Sequence, residues 1–298
     1  MAMVIKSTFA STDGPKSAID MAVFAAEECL KRAGVPVHAV DLLINTGVFR
    51  DENIIEPAIA PLIQRKLGMN LDPVENDHLH QSTFSFDITD GENGFLTAAG
   101  VARAFLQTRQ ARYALIVSGD VHPSLTDHDA FPFESMAAAA LLAIEDTGRD
   151  QGFQDFHFRT SANGSYGFCA NVDLSRNGLA GRRTMSFSID PDYHEKLGRF
   201  ASGMLREIFS DGKMDPAGLR YLLTSQHTEA FGRRMLDQLD LEGAETVDLY
   251  SLCGNPHTSS LIAGYDYLSA RGLLKPGDRV LFVSSGAGLS AACSLYTV

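Results

Sequence analysis

The chain has 298 residues, of which 45% are hydrophobic and 21% charged, and its 25 Lys and Arg against 37 Asp and Glu give a formal net charge of −12. This length is enough for two domains with large buried cores. The acidic balance argues against a surface that binds nucleic acid or an anionic membrane, because such a surface is basic, so an acidic partner must meet a local basic patch.

The four cysteines are far apart and form no CxxC pair; they are Cys29, Cys169, Cys253 and Cys293. A chain of this length needs no disulfide staples, so we expect reduced, buried thiols that pack as small hydrophobes. The first residues carry neither the basic region nor the cleavage site of a signal peptide, and no run of 18 apolar residues occurs. These features predict a soluble cytoplasmic protein.

Hydrophobic periodicity in the first half of the chain predicts alternating strands and helices. Strands are predicted at 3–9, 40–45, 82–88, 113–118 and 137–144, and helices at 16–33, 57–67 and 92–108. Gly34 is expected to end the first helix. The order of elements in this half is therefore βαβαβαββ.

The second half repeats this order after a stretch from 145 to 181 that contains Gly, Asn and Ser and is interpreted as a hinge loop. Strands are predicted at 184–189, 219–224, 246–250, 279–284 and 291–296, and helices at 195–209, 229–238 and 259–271. Two runs of βαβαβαββ predict an α/β protein of two similar halves, 1–150 and 151–298, with mostly parallel sheets related by pseudo-twofold symmetry.

Reactive side chains in such a fold gather where strands end and the next helices begin. Glu92 stands at one of these places, where the positive end of a helix would activate a thiolate or stabilise a carboxylate; alternatively it only satisfies the helix dipole. Ser225 and His227 follow another strand, and an extended backbone points them the same way. The alternative interpretation of this segment is an ordinary helix start with Thr228 as the N-cap.

Two further segments carry candidate polar groups. A Gly-Asn-Pro turn before a helix contains Asn255, whose amide offers an acceptor and two donor hydrogens, and His257 lies two residues beyond it. Gly286 and Gly288 lie between two apolar strands, where their backbone N–H groups could approach a ligand as an oxyanion hole. A simple turn explains the first segment equally well, and a hairpin turn explains the second.

Taken together, these segments resemble the β-ketoacyl-ACP synthase III branch of the thiolase superfamily over nearly the whole chain. The motifs that match are FDITDGENGF at 86–95, GNPHTSS at 254–260 and GLLKPGDRVLFVSSGAGLSAACSLY at 272–296. The resemblance implies a thiolase-like, five-layered αβαβα core. It also implies acyl-CoA or an acyl carrier protein (ACP) thioester as substrate, no cofactor, and a homodimer or a heterodimer with a ketosynthase paralogue.

Two of the three catalytic positions of that family differ in this chain. The family's nucleophilic Cys aligns with Glu92 and its active-site His with Ser225, which leaves Asn255 unchanged. None of the four cysteines lies at a comparable loop. A covalent thioester intermediate is not expected, because a carboxylate would have to form an unstable mixed anhydride in its place.

A carboxylate at position 92 leaves three interpretations. In the first, Glu92 is a general base or electrostatic group for acyl transfer, decarboxylation or hydrolysis, while Asn255, His227 and the backbone N–H groups of 286–288 hold the carbonyl or an enolate. In the second, the chain is an inactive partner subunit that dimerises with a Cys-bearing ketosynthase and shapes its pocket. In the third, Glu92 is an introduced replacement of a natural Cys, which the simultaneous change at Ser225 disfavours.

The resemblance also implies an acidic carrier protein as partner, and such a carrier needs a basic docking site. Arg233 and Arg234, adjacent on the helix after His227, are the candidates for this site. The alternative is that they are two solvated helix residues.

A hypothesis of another class is a metal-dependent hydrolase. His78 and His80 would lie on one face of an extended segment, as a zinc site with Asp87 could require. The sequence offers no further ligand with convincing spacing.

Overall fold

The computed structural model describes residues 1–15, 17–54, 56–71, 82–123, 131–147, 151–161, 167–172, 175, 185–286 and 288–298. Within them, five strands of the first half form one sheet. They are β1 (Ala2–Ser11), β2 (Leu42–Asn45), β3 (Phe84–Asp87), β4 (Tyr113–Asp120) and β5 (Met136–Glu145). Their order across the sheet is β1-β5-β4-β2-β3, so β1 and β3 are the edge strands.

The second half forms another five-stranded sheet and a separate hairpin. The strands, in chain order, are β6 (Gly152–Thr160), β7 (Phe168–Asn171), β8 (Ser186–Ile189), β9 (Leu219–Thr224), β10 (Glu245–Thr246), β11 (Arg279–Gly286) and β12 (Ser290–Thr297). The order in the sheet is β10-β9-β11-β12-β6, and β7 pairs antiparallel with β8 in the hairpin.

The two large sheets have the same pattern of pairings. In the first, β2 runs parallel to β3 and β4, while β5 runs antiparallel to β4 and β1. In the second, β9 runs parallel to β10 and β11, while β12 runs antiparallel to β11 and β6. This repeat confirms the pseudo-symmetric halves. The prediction of mostly parallel sheets was wrong, because half of the pairings in each sheet are antiparallel.

Helices lie on both faces of the sheets. They are α1 (Ala18–Ala33), α2 (Ile59–Leu67), α3 (Gly94–Gln107), α4 (Tyr193–Ser210), α5 (Phe231–Gln238), α6 (Tyr250–Cys253) and α7 (Ser260–Ala270), with 3₁₀ turns at Val37–Ala39, Asp51–Asn53, Gly91–Asn93 and His257–Ser259. The bounds of α1 follow from its caps: the Ser17 hydroxyl accepts from the N–H of Asp20, and Gly34 ends the helix with a φ of 65°.

The elements pack as five layers. One apolar core lies between the two sheets around α3 and α7, a second joins α1 and α2 to the outer face of the first sheet, and a third joins α4 and α5 to the outer face of the second sheet. Because successive side chains of a strand point to opposite faces, Ile116 packs into the central core and its neighbour Leu115 into an outer one. The predicted αβαβα core is therefore confirmed.

The predicted elements of the second half need three corrections. The stretch from 145 to 181, interpreted as a hinge loop, contains β6, which pairs with β12 and completes the second sheet. The strand predicted at 184–189 corresponds to β8, which belongs to the hairpin and not to the sheet. In addition, the strand predicted at 246–250 is shorter and gives way to α6. The division of the chain between 150 and 151 stays a prediction.

Two observations bear on the cysteines and the predicted location. All four thiols are free; Cys29 and Cys293 are buried as predicted, whereas Cys169 and Cys253 are half-buried. Among the helices of the described ranges, none combines the length and the hydropathy that a membrane span requires. A cytoplasmic location stays a prediction.

Candidate active site

Glu92 lies in the 3₁₀ turn Gly91–Asn93, between β3 and the start of α3, and its residue is only 7% exposed. The next residue anchors this turn: the Asn93 Nδ2 donates to the Ser290 Oγ (2.7 Å), and the Ser284 Oγ donates to the Asn93 Oδ1 (2.7 Å). The strands β11 and β12 of the second half thus hold a turn that belongs to the first half. The positive end of α3 favours a negative charge here.

Two histidines flank the Glu92 carboxylate. The Nδ1 of His227 lies 3.7 Å from the Glu92 Oε1, and the Nε2 of His257 lies 3.7 Å from the Glu92 Oε2. Both distances are too long for a direct hydrogen bond and short enough for a strong electrostatic interaction between buried groups. The structure therefore brings together three residues that the sequence analysis singled out in three separate segments.

His227 is a neutral imidazole with a fixed tautomer. Its Nε2 contacts the carbonyl oxygen of Ser285 at 2.9 Å, and because a carbonyl can only accept, Nε2 carries the proton. Burial lowers the pKa of His227, although the Glu92 charge and the bond to Ser285 oppose this effect. The lone pair of Nδ1 consequently faces Glu92.

The pKa of His257 is shifted in the opposite direction, because the buried carboxylate of Asp120 contacts its Nδ1. Asp120, at the end of β4 and 0% exposed, accepts from the His257 Nδ1 (3.0 Å) and from the backbone N–H groups of Val48 and Phe49. Burial alone would lower the pKa of His257, but the charges of Asp120 and Glu92 and the hydrogen bond outweigh burial and raise it. In the same way, the imidazolium and hydrogen bonds lower the pKa of Asp120 against the effect of its burial.

Asn255 and Ser225 also lie close to this site. The Oδ1 of Asn255 accepts from the backbone N–H of His257 (2.9 Å), so this side chain shapes the turn that positions His257, and it lines the cavity. The Ser225 hydroxyl donates to the carbonyl of Ser285 and accepts from its N–H. Ser225 is not among the described residues that line the cavity, and the catalytic roles of both residues stay predictions.

The two glycines predicted to form an oxyanion hole lie in different surroundings. A Cβ on Gly286 would lie 2.7 Å from the Glu92 Oε2, so only a glycine lets the carboxylate approach β11 this closely. Gly288 is exposed with a φ of 73° in the turn before β12, and a Cβ there would meet nothing within 4 Å. Gly286 is thus part of the wall around Glu92. The oxyanion role of both glycines stays a prediction.

The carboxylate and its two histidines open into a cavity of about 310 Å³. Several aromatic side chains belong to its described lining, and the ring of His257 packs against those of Phe49 and Phe133, with centroid distances of 5.0 and 4.1 Å. The remaining lining residues are Val48, Thr89, Gly91, Glu92, Pro132, Phe168, Ile189, Tyr193, His194, His227, Tyr250 and Asn255. An apolar cavity with a few convergent polar groups is the usual form of a small-molecule site.

Three residues of this site were missed by the sequence analysis: Asp120, Tyr193 and His194. The ring centroid of His194 lies 5.5 Å from that of His227, and burial is the main cause that lowers the pKa of His194 to about 4. Burial and the Glu92 charge raise the pKa of Tyr193. Asp120 lies two residues beyond the strand predicted at 113–118, and its role becomes visible only in its contact with His257.

The predicted carrier-docking arginines are both exposed on α5. The Arg233 Nε pairs with the Asp237 Oδ1 at 3.1 Å, one helical turn away. The Arg234 side chain donates to the carbonyl of Glu229 (2.8 Å) and to the Thr228 hydroxyl. Their docking role stays a prediction.

The residues of the metal hypothesis do not form a described site. His78 and His80 lie outside the described residues. Asp87 accepts from the backbone N–H groups of Ile59 and Ala60 at the start of α2, and it pairs with Arg50 at 3.0 Å. These contacts explain Asp87 as a helix cap with a partly buried ion pair. No cluster of three His, Cys, Asp or Glu suited to a metal occurs in the described part of the chain.

Comparison with known families gives matches across both halves. A family model described as 3-oxoacyl-[acyl-carrier-protein (ACP)] synthase III matches residues 86–164, and the model for the C terminal part of the same synthase matches residues 209–298. Together these ranges cover more than half of the chain. They contain Glu92, Asp120, His227 and His257.

Individual relatives are distant but match almost end to end. The β-ketoacyl-[acyl-carrier-protein] synthase III of Aliarcobacter butzleri is 22% identical over 310 residues, which cover 98% of this chain and 86% of the relative. The corresponding protein of a Sulfurovum species is 24% identical over 287 residues, with coverages of 93% and 80%.

Solved structures share the fold. The 3-oxoacyl-(acyl carrier protein) synthase III of Xanthomonas oryzae pv. oryzae superposes with a TM-score of 0.80 at 18% identity, covering 100% of this chain and 99% of that one. OleA of Xanthomonas campestris, solved with bound lauric acid and lauroyl-CoA, gives a TM-score of 0.79 at 17% identity, with the same coverages. The chain therefore belongs to the thiolase superfamily, as a member that is similar to β-ketoacyl-ACP synthase III.

Proposed function

We propose that the chain acts on an acyl thioester of ACP or CoA by non-covalent chemistry, with Glu92 in the place of the family's nucleophile. The reaction would serve fatty-acid, polyketide or related secondary-metabolite biosynthesis. The observation that supports an activity is the Glu92 carboxylate 3.7 Å from both His227 and His257 in an enclosed cavity. The names of the relatives, which specify an acyl carrier protein, support the substrate class. Acyl transfer, decarboxylation and hydrolysis are the reactions in question.

The geometry suggests a separate catalytic role for each of these groups. Glu92 is positioned to accept a proton, and the neutral His227 can exchange that proton through its Nδ1 lone pair. His257, held by Asp120, can present a positive charge to a developing oxyanion on the thioester carbonyl. Such a fixed arrangement would lower the barrier without an acyl-enzyme intermediate, because the reacting groups are already oriented.

Intact mass and product analysis test this proposal directly. The wild-type protein, Glu92→Ala and Glu92→Cys are incubated with acyl and malonyl thioesters. We expect turnover without any mass increase in the wild type, and a loss of about 100-fold or more in Glu92→Ala, which is typical of losing a general base. Glu92→Cys is expected to acquire the mass of an acyl group. A wild-type protein that turns nothing over and behaves like Glu92→Ala would contradict the proposal.

The second candidate function is that of an inactive partner subunit that dimerises with a Cys-bearing ketosynthase. The observation that favours it is that β3 is an edge strand of the first sheet within the described residues, with Phe84 57% exposed. An edge strand with an exposed aromatic side chain is suited to pairing with another chain. Turnover by a complex with a co-purifying Cys-bearing paralogue, and none by this chain alone, would support the partner role.

A further inference from the structure

The charges around the cavity indicate which kind of molecule attacks the thioester. The lining described above contains no Lys or Arg, and its acidic group is Glu92. Burial lowers the pKa values of His194 and His227, so both are neutral near pH 7. The positive charge that His257 can carry is shared between Asp120 and Glu92. One cation against two carboxylates leaves this part of the site with a net negative charge.

We propose that the nucleophile at this site is a neutral N–H or O–H group of an amine, an alcohol or water, and not a carbanion formed by decarboxylation. The inference rests on the proposed function and selects among its reactions. A malonyl-type substrate would bring a second carboxylate against Glu92, and loss of CO₂ would leave an enolate at the same place. Like charges repel strongly between buried groups, so the buried Glu92 disfavours both species.

A neutral nucleophile makes use of the same carboxylate. As its nitrogen or oxygen forms a bond to the thioester carbonyl carbon, its proton passes to Glu92. The C–S bond then breaks, and the proton is passed on to the departing thiolate, so that acyl–SR and H–X give acyl–X and HSR. Every atom is accounted for, and no oxidant, reductant or cofactor is needed. A general base is useful here because water or an alcohol is a weak nucleophile until it loses its proton, and an amine must lose a proton once its nitrogen has bonded to the carbonyl carbon.

A matched pair of probes tests the charge argument independently of turnover. Acetyl-CoA and malonyl-CoA differ by one carboxylate, and their dissociation constants are measured by calorimetry on the wild type and on Glu92→Gln, whose folding is checked by circular dichroism. We expect the wild type to bind malonyl-CoA about tenfold more weakly than acetyl-CoA, and Glu92→Gln to remove most of this difference. Equal or tighter binding of malonyl-CoA by the wild type would overturn the inference.

Product analysis provides the second test. The protein is given hexanoyl-CoA with aniline, which is uncharged near pH 7, with benzyl alcohol, or with malonyl-CoA, and amide, ester, free acid and β-ketoacyl products are separated by mass spectrometry. We expect amide, ester or hexanoic acid, reduced about 100-fold in Glu92→Gln. Release of CO₂ and a β-ketoacyl product would overturn the inference while leaving the proposed function intact. Absence of every product would instead contradict the proposed function, and the binding comparison would still decide the charge argument.

Discussion

At the scale of single residues, the site is a row of ionisable groups whose proton affinities are set by different surroundings. Burial lowers the pKa of His227 against the opposing effects of Glu92 and the Ser285 carbonyl, whereas the buried carboxylate of Asp120 raises the pKa of His257. Two imidazoles whose pKa values are shifted in opposite directions, one on either side of Glu92, suit a proton-transfer site. Separated pKa values of this kind are frequent at functional sites.

The Asp120–His257 pair gives a prediction about stability. His257 has a raised pKa, so its contribution is complete below its unfolded pKa of about 6.5 and is lost as the pH rises through the folded value. Asp120 has a lowered pKa, so its contribution is present above about pH 4 and is lost on further acidification. The pair therefore stabilises the fold most between about pH 4 and 6.5.

Asp120→Asn is expected to lower the free energy of unfolding by about 3 kcal/mol in that window, because it leaves a buried imidazolium without its partner. Thermal melts from pH 5 to pH 9 measure the effect, which should shrink as the pH rises through the folded pKa of His257. The exposed Asp237→Asn serves as the matched control and is expected to change the melting temperature little. A difference that does not depend on pH would contradict the ion pair.

At the scale of elements, the site depends on the close approach of β11 to the turn before α3. Gly286 permits this approach, since a Cβ there would lie 2.7 Å from the Glu92 Oε2. The hydrogen bonds of Asn93 to Ser284 and Ser290 fix the same two elements against each other. A side chain at position 286 must therefore displace the carboxylate.

Gly286→Ala is expected to destabilise the fold by about 1–3 kcal/mol through overpacking and to reduce any Glu92-dependent turnover at least as strongly as it reduces stability. Gly203→Ala in α4 is the control, because a Cβ there meets nothing within 4 Å. That change should stabilise the helix by about 0.5–1 kcal/mol. Chemical denaturation and product assays measure both variants. Unchanged stability and turnover of Gly286→Ala would show that the residues around Glu92 can adjust to the added Cβ, contrary to the prediction.

The surface of α5 carries the prediction for a carrier protein. Arg233 already pairs with Asp237, and Arg234 is bonded to Thr228 and Glu229, so part of their donor capacity is used within the chain. Arg233→Glu together with Arg234→Glu is expected to weaken binding of an acyl carrier protein about tenfold or more and to reduce its salt dependence. Binding titrations at low and physiological salt measure this, and unchanged affinity would remove the docking site from α5.

At the scale of the whole molecule, the site belongs to neither half alone. Glu92 and Asp120 come from the first half, whereas His194, His227, His257 and Gly286 come from the second. The pseudo-twofold repeat brings the ends of corresponding elements together where the two sheets share the central helical layer. A displacement of the halves would therefore separate the carboxylate from its histidines.

The edges of the two sheets predict how the molecule associates. Within the described residues, β3 is a free edge strand with Phe84 57% exposed, whereas β10, the corresponding edge of the second sheet, has only two residues. If the chain dimerises through β3, Phe84→Glu is expected to shift it to monomers, because a charge would be buried at the new interface. Phe158→Glu, 54% exposed on β6, is the matched control. Sedimentation measures both, and a dimer that persists in Phe84→Glu contradicts this interface.

The sequence by itself determined the succession of elements, because strand and helix periods depend on local patterns of apolar residues. It also singled out Glu92 and His227 after strands, and Asn255 and His257 in a turn before a helix. It did not reveal β6, because the alternation of apolar and polar residues in this strand is weak and the surrounding glycines and polar residues of 145–181 indicate a loop. It also did not reveal that β8 pairs outside the large sheet, because the choice of partner strand is not a local property.

Only the tertiary structure decided how the candidate residues act. Asp120 and His257 are 137 positions apart in sequence, and the influence of one on the pKa of the other depends on a 3.0 Å contact that folding creates. The sequence alone predicts only a turn at Gly286, whereas the structure shows the Glu92 carboxylate packed against this residue. A sequence fixes which groups are present and their local geometry, whereas burial and the distances between charges, which set proton affinity, arise when the two halves pack together.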